Sequence, residues 1–176
     1  MDIDAYKMSV YSAHWKSATR GNISGEILKA AFANNGLNFI QALTSAIGTL
    51  GGTHGCVEAA QNLLEMKNPI QEVRMLLAVG STVPGWGSNY QDKCQEPGWE
   101  DVHEKLLDVD QSKGILLKDI TEVFHEAGKI IYPNPAAYTA VLSMLMGLDS
   151  SLAPSLFIEA RLPAWTASLN ANIQSA

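Results

Sequence analysis

Apolar residues recur every three or four positions in one segment after another, and almost nowhere do they alternate with a period of two. That spacing puts them on one face of a helix, so the sequence predicts an all-α fold, a bundle of helices separated by turns rich in glycine and proline. Leu37, Ile40, Leu43, Thr44, Ile47 and Leu50 form such a face on a helix running from Ile27 to a stop at Gly51-Gly52. A second helix is expected from Gly55 or Cys56 to Met66, and a third from Pro69, whose missing N–H costs nothing in a first turn. Val83-Pro84-Gly85-Trp86-Gly87 reads as a loop. From Ser88 to Lys113 the chain gathers Cys94, Pro97, Gly98 and charge; it is expected to be the least compact part, with a short helix over Glu100 to Leu107. Leu116, Ile120, Val123 and Phe124 mark a helix ending near Gly128. Tyr132-Pro133-Asn134-Pro135 forces an extended turn, because a residue before proline is pushed out of the α region. Pro135 starts the next helix, and Ser155 to Asn170 forms a last one, interrupted or started near Pro163.

At 176 residues and 47% apolar content the chain is long enough to bury a core as one domain without disulfides. A net charge of −6, with no run of Lys or Arg, argues against nucleic acid as a partner. No apolar stretch approaches the roughly 18 residues a membrane span needs, and Met1 to Val10 lacks the pattern of a secretory signal. Cys56 and Cys94 have no second cysteine or histidine at metal-binding spacing, so no metal is expected and both read as reduced thiols in a cytoplasmic protein.

Three pieces stand out in order: Gly51-Gly52-Thr53-His54-Gly55-Cys56, then Val83-Pro84-Gly85-Trp86-Gly87, then Tyr132-Pro133-Asn134. With Phe157-Ile158-Glu159-Ala160-Arg161 as a fourth, their order and spacing resemble the citrate synthase family, from about Ile27 to Ser168. The resemblance implies a truncated citrate synthase-like helical bundle. Residues 1–26 would be an N-terminal segment, 27–82 interface helices and the histidine turn, 83–135 a capping region, and 136–176 C-terminal helices. It also implies a homodimer, in keeping with small residues such as Ala30, Ala33, Gly36 and Ala42 on the first helix. By the same resemblance, the family's N-terminal half has no counterpart in this sequence beyond Met1 to Glu26.

In that family a carboxylate removes a proton from a CoA thioester, one neutral histidine hydrogen-bonds the forming enolate, a second histidine polarises a 2-oxo acid, and arginines hold its carboxylates. His54 matches the first histidine. Ser88 stands where the second histidine belongs and is followed by Asn89 in place of arginine; by position both fall among the substrate-binding residues. Ala136 stands at the general base. Arg161 matches an arginine that reaches substrate across the dimer, although an intersubunit salt bridge explains it as readily. Val83, Pro84, Gly85, Trp86 and Gly87 match the loop that covers the CoA adenine, so a CoA thioester is a ligand to test although no resident cofactor is implied. With base, electrophile and clamp replaced, the sequence points to a catalytically degenerate partner protein, associating with itself or with a full-length homologue. The alternative is an enzyme that makes or breaks a C–C bond on a CoA thioester with relocated groups, for which Asp92, Asp101 and His103 are the candidates. Otherwise His14, His103 and His125 read as surface histidines without a role, and Cys56 as a small residue filling space beside a helix start.

Overall fold

The computed structural model describes residues 39–48, 50–51, 55–87 and 100–174. Among them are seven α-helices: α1 (Phe39–Gly48), α2 (Val57–Glu65), α3 (Pro69–Ala78), α4 (Glu100–Val109), α5 (Gln111–Glu126), α6 (Pro135–Met146) and α7 (Ala153–Gln174), with a 3₁₀ turn over Ser150–Leu152 before α7. No strand occurs among the described residues; an isolated antiparallel bridge joins Trp86 and Pro133.

Helix α6 is the centre of the bundle because its sequence leaves it no polar face. Every residue from Pro135 to Ser143 is buried, and a helix that is apolar all round must be surrounded. Its two buried aliphatic hydroxyls are satisfied within the helix: Thr139 Oγ1 donates to the Pro135 carbonyl at 2.7 Å and Ser143 Oγ to the Thr139 carbonyl at 2.8 Å. Asn134 caps its start and Gly147, at φ 70°, closes its end in the left-handed conformation. Against α6 pack α2 and α7; α5 lies against α4 and α3. Gln61, fully buried on α2, ties that helix to the chain beyond α6 by donating to the Leu148 carbonyl at 3.0 Å and to Glu65 at 2.8 Å.

Helices α4 and α5 form a hairpin around Asp110, which accepts the Lys113 N–H at 3.3 Å. Their approach requires glycine at position 114, since a Cβ there would overlap the Leu107 side chain. Val102 and Leu106 are both 1% exposed. The segment expected to be loose is therefore built into the core from Glu100 onward, because Val102, Leu106 and Val109 recur at helical spacing. Residues 88–99 lie outside the described set, as does the first helix before Phe39.

Two boundaries differ from expectation. Helix α1 ends at Gly48, short of Gly51, with the Leu50 N–H turning back to the Ile47 carbonyl at 3.1 Å. Helix α7 runs unbroken through Pro163, which is exposed. A proline inside a helix costs about 3 kcal/mol. Here the buried residues on both sides, Phe157, Ala160 and Arg161 before it and Trp165 after it, hold the helix together across the missing hydrogen bond.

Candidate functional site

Two of the singled-out segments meet in space. The Gly87 N–H donates to the Tyr132 carbonyl at 3.0 Å and the Asn134 N–H to the Gly85 carbonyl at 2.9 Å. Asn134 then acts twice through its side chain: Nδ2 donates to the Gly87 carbonyl at 2.8 Å, and Oδ1 accepts the Ala136 N–H at 2.9 Å as the cap of α6. One residue thus fixes both the loop and the helix start. Gly85 makes this possible. Its φ is +86°, and a Cβ there would stand 3.0 Å from the Cβ atoms of both Ala60 and Ala137, so the loop wedges between α2 and α6 where only glycine fits.

The Trp86 side chain turns inward, 7% exposed, with its ring stacked 6.5 Å from Phe124 and its Nε1 donating to Thr121 Oγ1 at 3.3 Å. Its indole belongs to the core. Any contact this loop makes with a ligand falls to its backbone and to Pro84. Ala136 is 4% exposed and presents a methyl group at the first turn of α6, so no proton acceptor stands at that position.

At the other segments, Gly55 has φ +59°, and a Cβ built on it would lie 2.9 Å from Leu50 Cδ2 and 3.5 Å from the Phe157 ring. The turn leading out of the His54 segment is therefore seated on Phe157. Arg161, one helical turn along α7 and 2% exposed, stacks its guanidinium over that same ring, with Cζ 5.1 Å from the centroid. Arg161 and Gly55 thus share one aromatic platform. His54, Ser88, Asn89 and Asp92 lie outside the described residues. Cys56 is half-buried at the N-cap of α2, makes no capping hydrogen bond through its side chain, and packs on the main core.

The sequence reading offered His103 as a relocated group and otherwise as a surface histidine. It is half-buried on α4, edge-on to Tyr138 with ring centroids 6.3 Å apart, and its buried Nδ1 has no hydrogen-bond partner among the described residues. Burial pushes its pKa below the usual histidine value, against a smaller opposing pull from Glu104. The signal was present: His103 follows Val102 and precedes Leu106 by three, on the inward face. Asp101, beside it, is exposed. No cluster of three or more His, Cys, Asp or Glu suited to a metal ion occurs among the described residues, and no helix there is long and apolar enough to cross a membrane.

The family model for "Citrate synthase, C-terminal domain" matches residues 30–175. The chain belongs to the citrate synthase family. Among solved structures it is similar to a citryl-CoA lyase from Hydrogenobacter thermophilus, with TM-score 0.73 and 19% identity over 97% of this chain and 69% of that one. It is also similar to the citrate synthase from Thermotoga maritima MSB8, with TM-score 0.76 and 21% identity over 93% of this chain. It spans 48% of that citrate synthase's length. A search of curated proteins gives no match. The described helices therefore follow the citrate synthase fold.

Proposed function

We propose that this chain is a catalytically degenerate citrate synthase-family protein that acts as a structural or regulatory partner and still receives an acyl-CoA or small carboxylate. The observation that carries this reading is Ala136. The resemblance puts the family's general base two residues after Asn134, which is bonded here to both Gly87 and the start of α6. The residue at that position is a buried alanine. Loss of a general base alone typically costs 10²–10⁴ in rate, and Ser88 replaces the electrophilic histidine as well.

Arg161 favours a residual carboxylate site, because its guanidinium is held over Phe157 and its planar fork matches a carboxylate. The Val83–Gly87 backbone supplies the place for a CoA adenine, although a net charge of −6 gives a polyanion no long-range attraction. The partner role draws on α1, where Ile40 is 67% exposed at the edge of the small-residue helix that the resemblance places at a two-fold interface. The working picture is a cytoplasmic homodimer that also pairs with a full-length homologue.

The test is a calorimetric titration with acetyl-CoA, with and without oxaloacetate, on the wild type and His54→Ala. Saturable binding at about 1 mM or tighter, lost in His54→Ala and without release of free CoA thiol, is the expected result. A mixed dimer on co-expression with a citrate synthase homologue completes it. Steady thiol release in the presence of a 2-oxo acid would overturn degeneracy and favour the enzyme with relocated groups.

A further inference from the structure

Behind the junction, on the side of α4 and α5, lies a cleft of about 250 Å³ that no part of the citrate synthase reading uses. Its walls include two histidine–tyrosine pairs set edge to face: His103 against Tyr138, with rings 6.3 Å apart at 82°, and His125 against Tyr132, 5.4 Å apart at 78°. Leu117 and Pro133 complete an apolar lining, and Thr121 adds a hydroxyl. Charge is confined to Lys118 and Glu122, which pair with each other at 3.9 Å and are 70% and 60% exposed. The geometry points to a binding site for a small, uncharged, single-ring aromatic ligand carrying a hydroxyl group, that is, a ligand of the phenol class.

Three features select that class. The volume lies at or below the small end of ligand pockets, about 300 Å³, which suits one ring and excludes a nucleotide. Ring edges and faces on two sides favour an aromatic guest, which can join the edge-to-face pairs already present. The interior polar groups are neutral: two phenols, one aliphatic hydroxyl and an imidazole that burial disfavours charging. A charged guest would lose its hydration without a counter-charge inside, whereas a hydroxyl, both donor and acceptor, suits an imidazole in either tautomer.

The site comes with its own reporter. Thr121 lines the cleft, and its Oγ1 accepts the Trp86 indole N–H at 3.3 Å. A ligand against Thr121 therefore perturbs the ¹H–¹⁵N signal of that indole, assigned with Trp86→Phe. Titrated with phenol, the wild type should show a saturable shift of this signal with Kd near or below about 1 mM, with benzoate weaker by about tenfold or more. His125→Ala removes an exposed wall residue; it should weaken phenol by about threefold or more and, through the lost edge contact with Tyr132, lower the thermal midpoint by no more than about 4 °C. Saturating acetyl-CoA should leave the phenol affinity unaltered, whether or not acetyl-CoA itself binds. The proposal is overturned by a shift that does not saturate, by an unaltered affinity in His125→Ala, by benzoate binding as tightly as phenol, or by displacement with acetyl-CoA.

Discussion

The junction of Gly85 with Asn134 and the contact of α1 with α7 are held together in different ways. The junction is fixed by backbone groups and one asparagine, with four hydrogen bonds between 2.8 and 3.0 Å joining the loop, the turn and the start of α6. The α1–α7 contact rests on side-chain burial: Ala42 and Trp165 at its centre, with Leu43, Ile47, Leu50, Ile158 and Leu162 around them. Backbone-held structure is indifferent to most substitutions. Ala136 stands at the end of a framework whose described hydrogen bonds use its backbone N–H and not its side chain.

The largest expected effect falls on the side-chain-held region. Trp165 is 2% exposed, and Trp165→Ala should cost about 3–5 kcal/mol in urea unfolding, the range for emptying a large core site. The Trp165 Nε1 is buried without a hydrogen-bond partner among the described residues. Trp165→Phe, which removes that N–H and keeps a ring, should therefore cost no more than about 1 kcal/mol. Equal losses in both variants would show that the indole N–H, rather than apolar packing, holds this contact. Amide exchange in Trp165→Ala should rise in α1 and the end of α7 before α6; uniform acceleration would erase the distinction between the two regions.

At the junction, Gly85→Ala is expected to lose about 2–3 kcal/mol, combining a left-handed φ with contacts at 3.0 Å to Ala60 and Ala137. Asn134→Ala should lose about 2 kcal/mol, since one change removes a helix cap and the bond to Gly87. The double variant sharpens the comparison. If the junction acts as one unit, the two losses will fall short of adding, because either change already releases the loop. Full additivity would show two independent contacts.

Much of this was legible in the sequence, and the reasons divide along the same line. The loop, the turn and the start of α6 were readable because glycine and proline announce backbone geometry locally: Gly85 permits a left-handed φ, and Pro133 and Pro135 fix their own φ and restrict the residue before them. The role of Asn134 was not readable, since its bond to Gly87 spans 47 positions. Trp86 was read as part of the loop that covers a CoA adenine, and the placement of Thr121 and Phe124 puts its ring in the core. Pro163 misled for the opposite reason, because a local rule for breaking helices yields to burial on both sides. Apart from a relocated role, His103 was read as a surface residue although Val102 and Leu106 bracket it on the inward face. Helical spacing was applied to apolar residues alone, and an imidazole fills a core position as readily as a leucine when a tyrosine ring receives it.

His103 also gives a smaller, pH-dependent effect. Its folded-state pKa lies below the ordinary value of about 6.5, chiefly through burial. The unfolded chain therefore takes up the proton more readily than the native one. Stability from this group is fully present above about pH 6.5 and is lost as pH falls toward the folded-state pKa. Urea midpoints should decline over that range in the wild type and decline less in His103→Gln. Identical slopes would place the titrating group elsewhere.

The smallest effect expected lies outside both regions and calibrates them. Arg74 on α3 donates to Glu126 on α5 at 2.7 Å, a good distance for an ion pair, but the side chains are 55% and 59% exposed. Water screens such a pair, and ordering two long side chains offsets much of the attraction, so Arg74→Ala should change stability by about 0.5 kcal/mol or less. That loss should shrink further at high salt. Helix α3 buries only Val73 within its span, so it is held to α5 by few apolar contacts, and a loss well above 1 kcal/mol would mean that this ion pair, rather than Val73, seats it. In that case a third mode of attachment, ionic and at the surface, would stand beside the backbone-held junction and the side-chain-held α1–α7 contact.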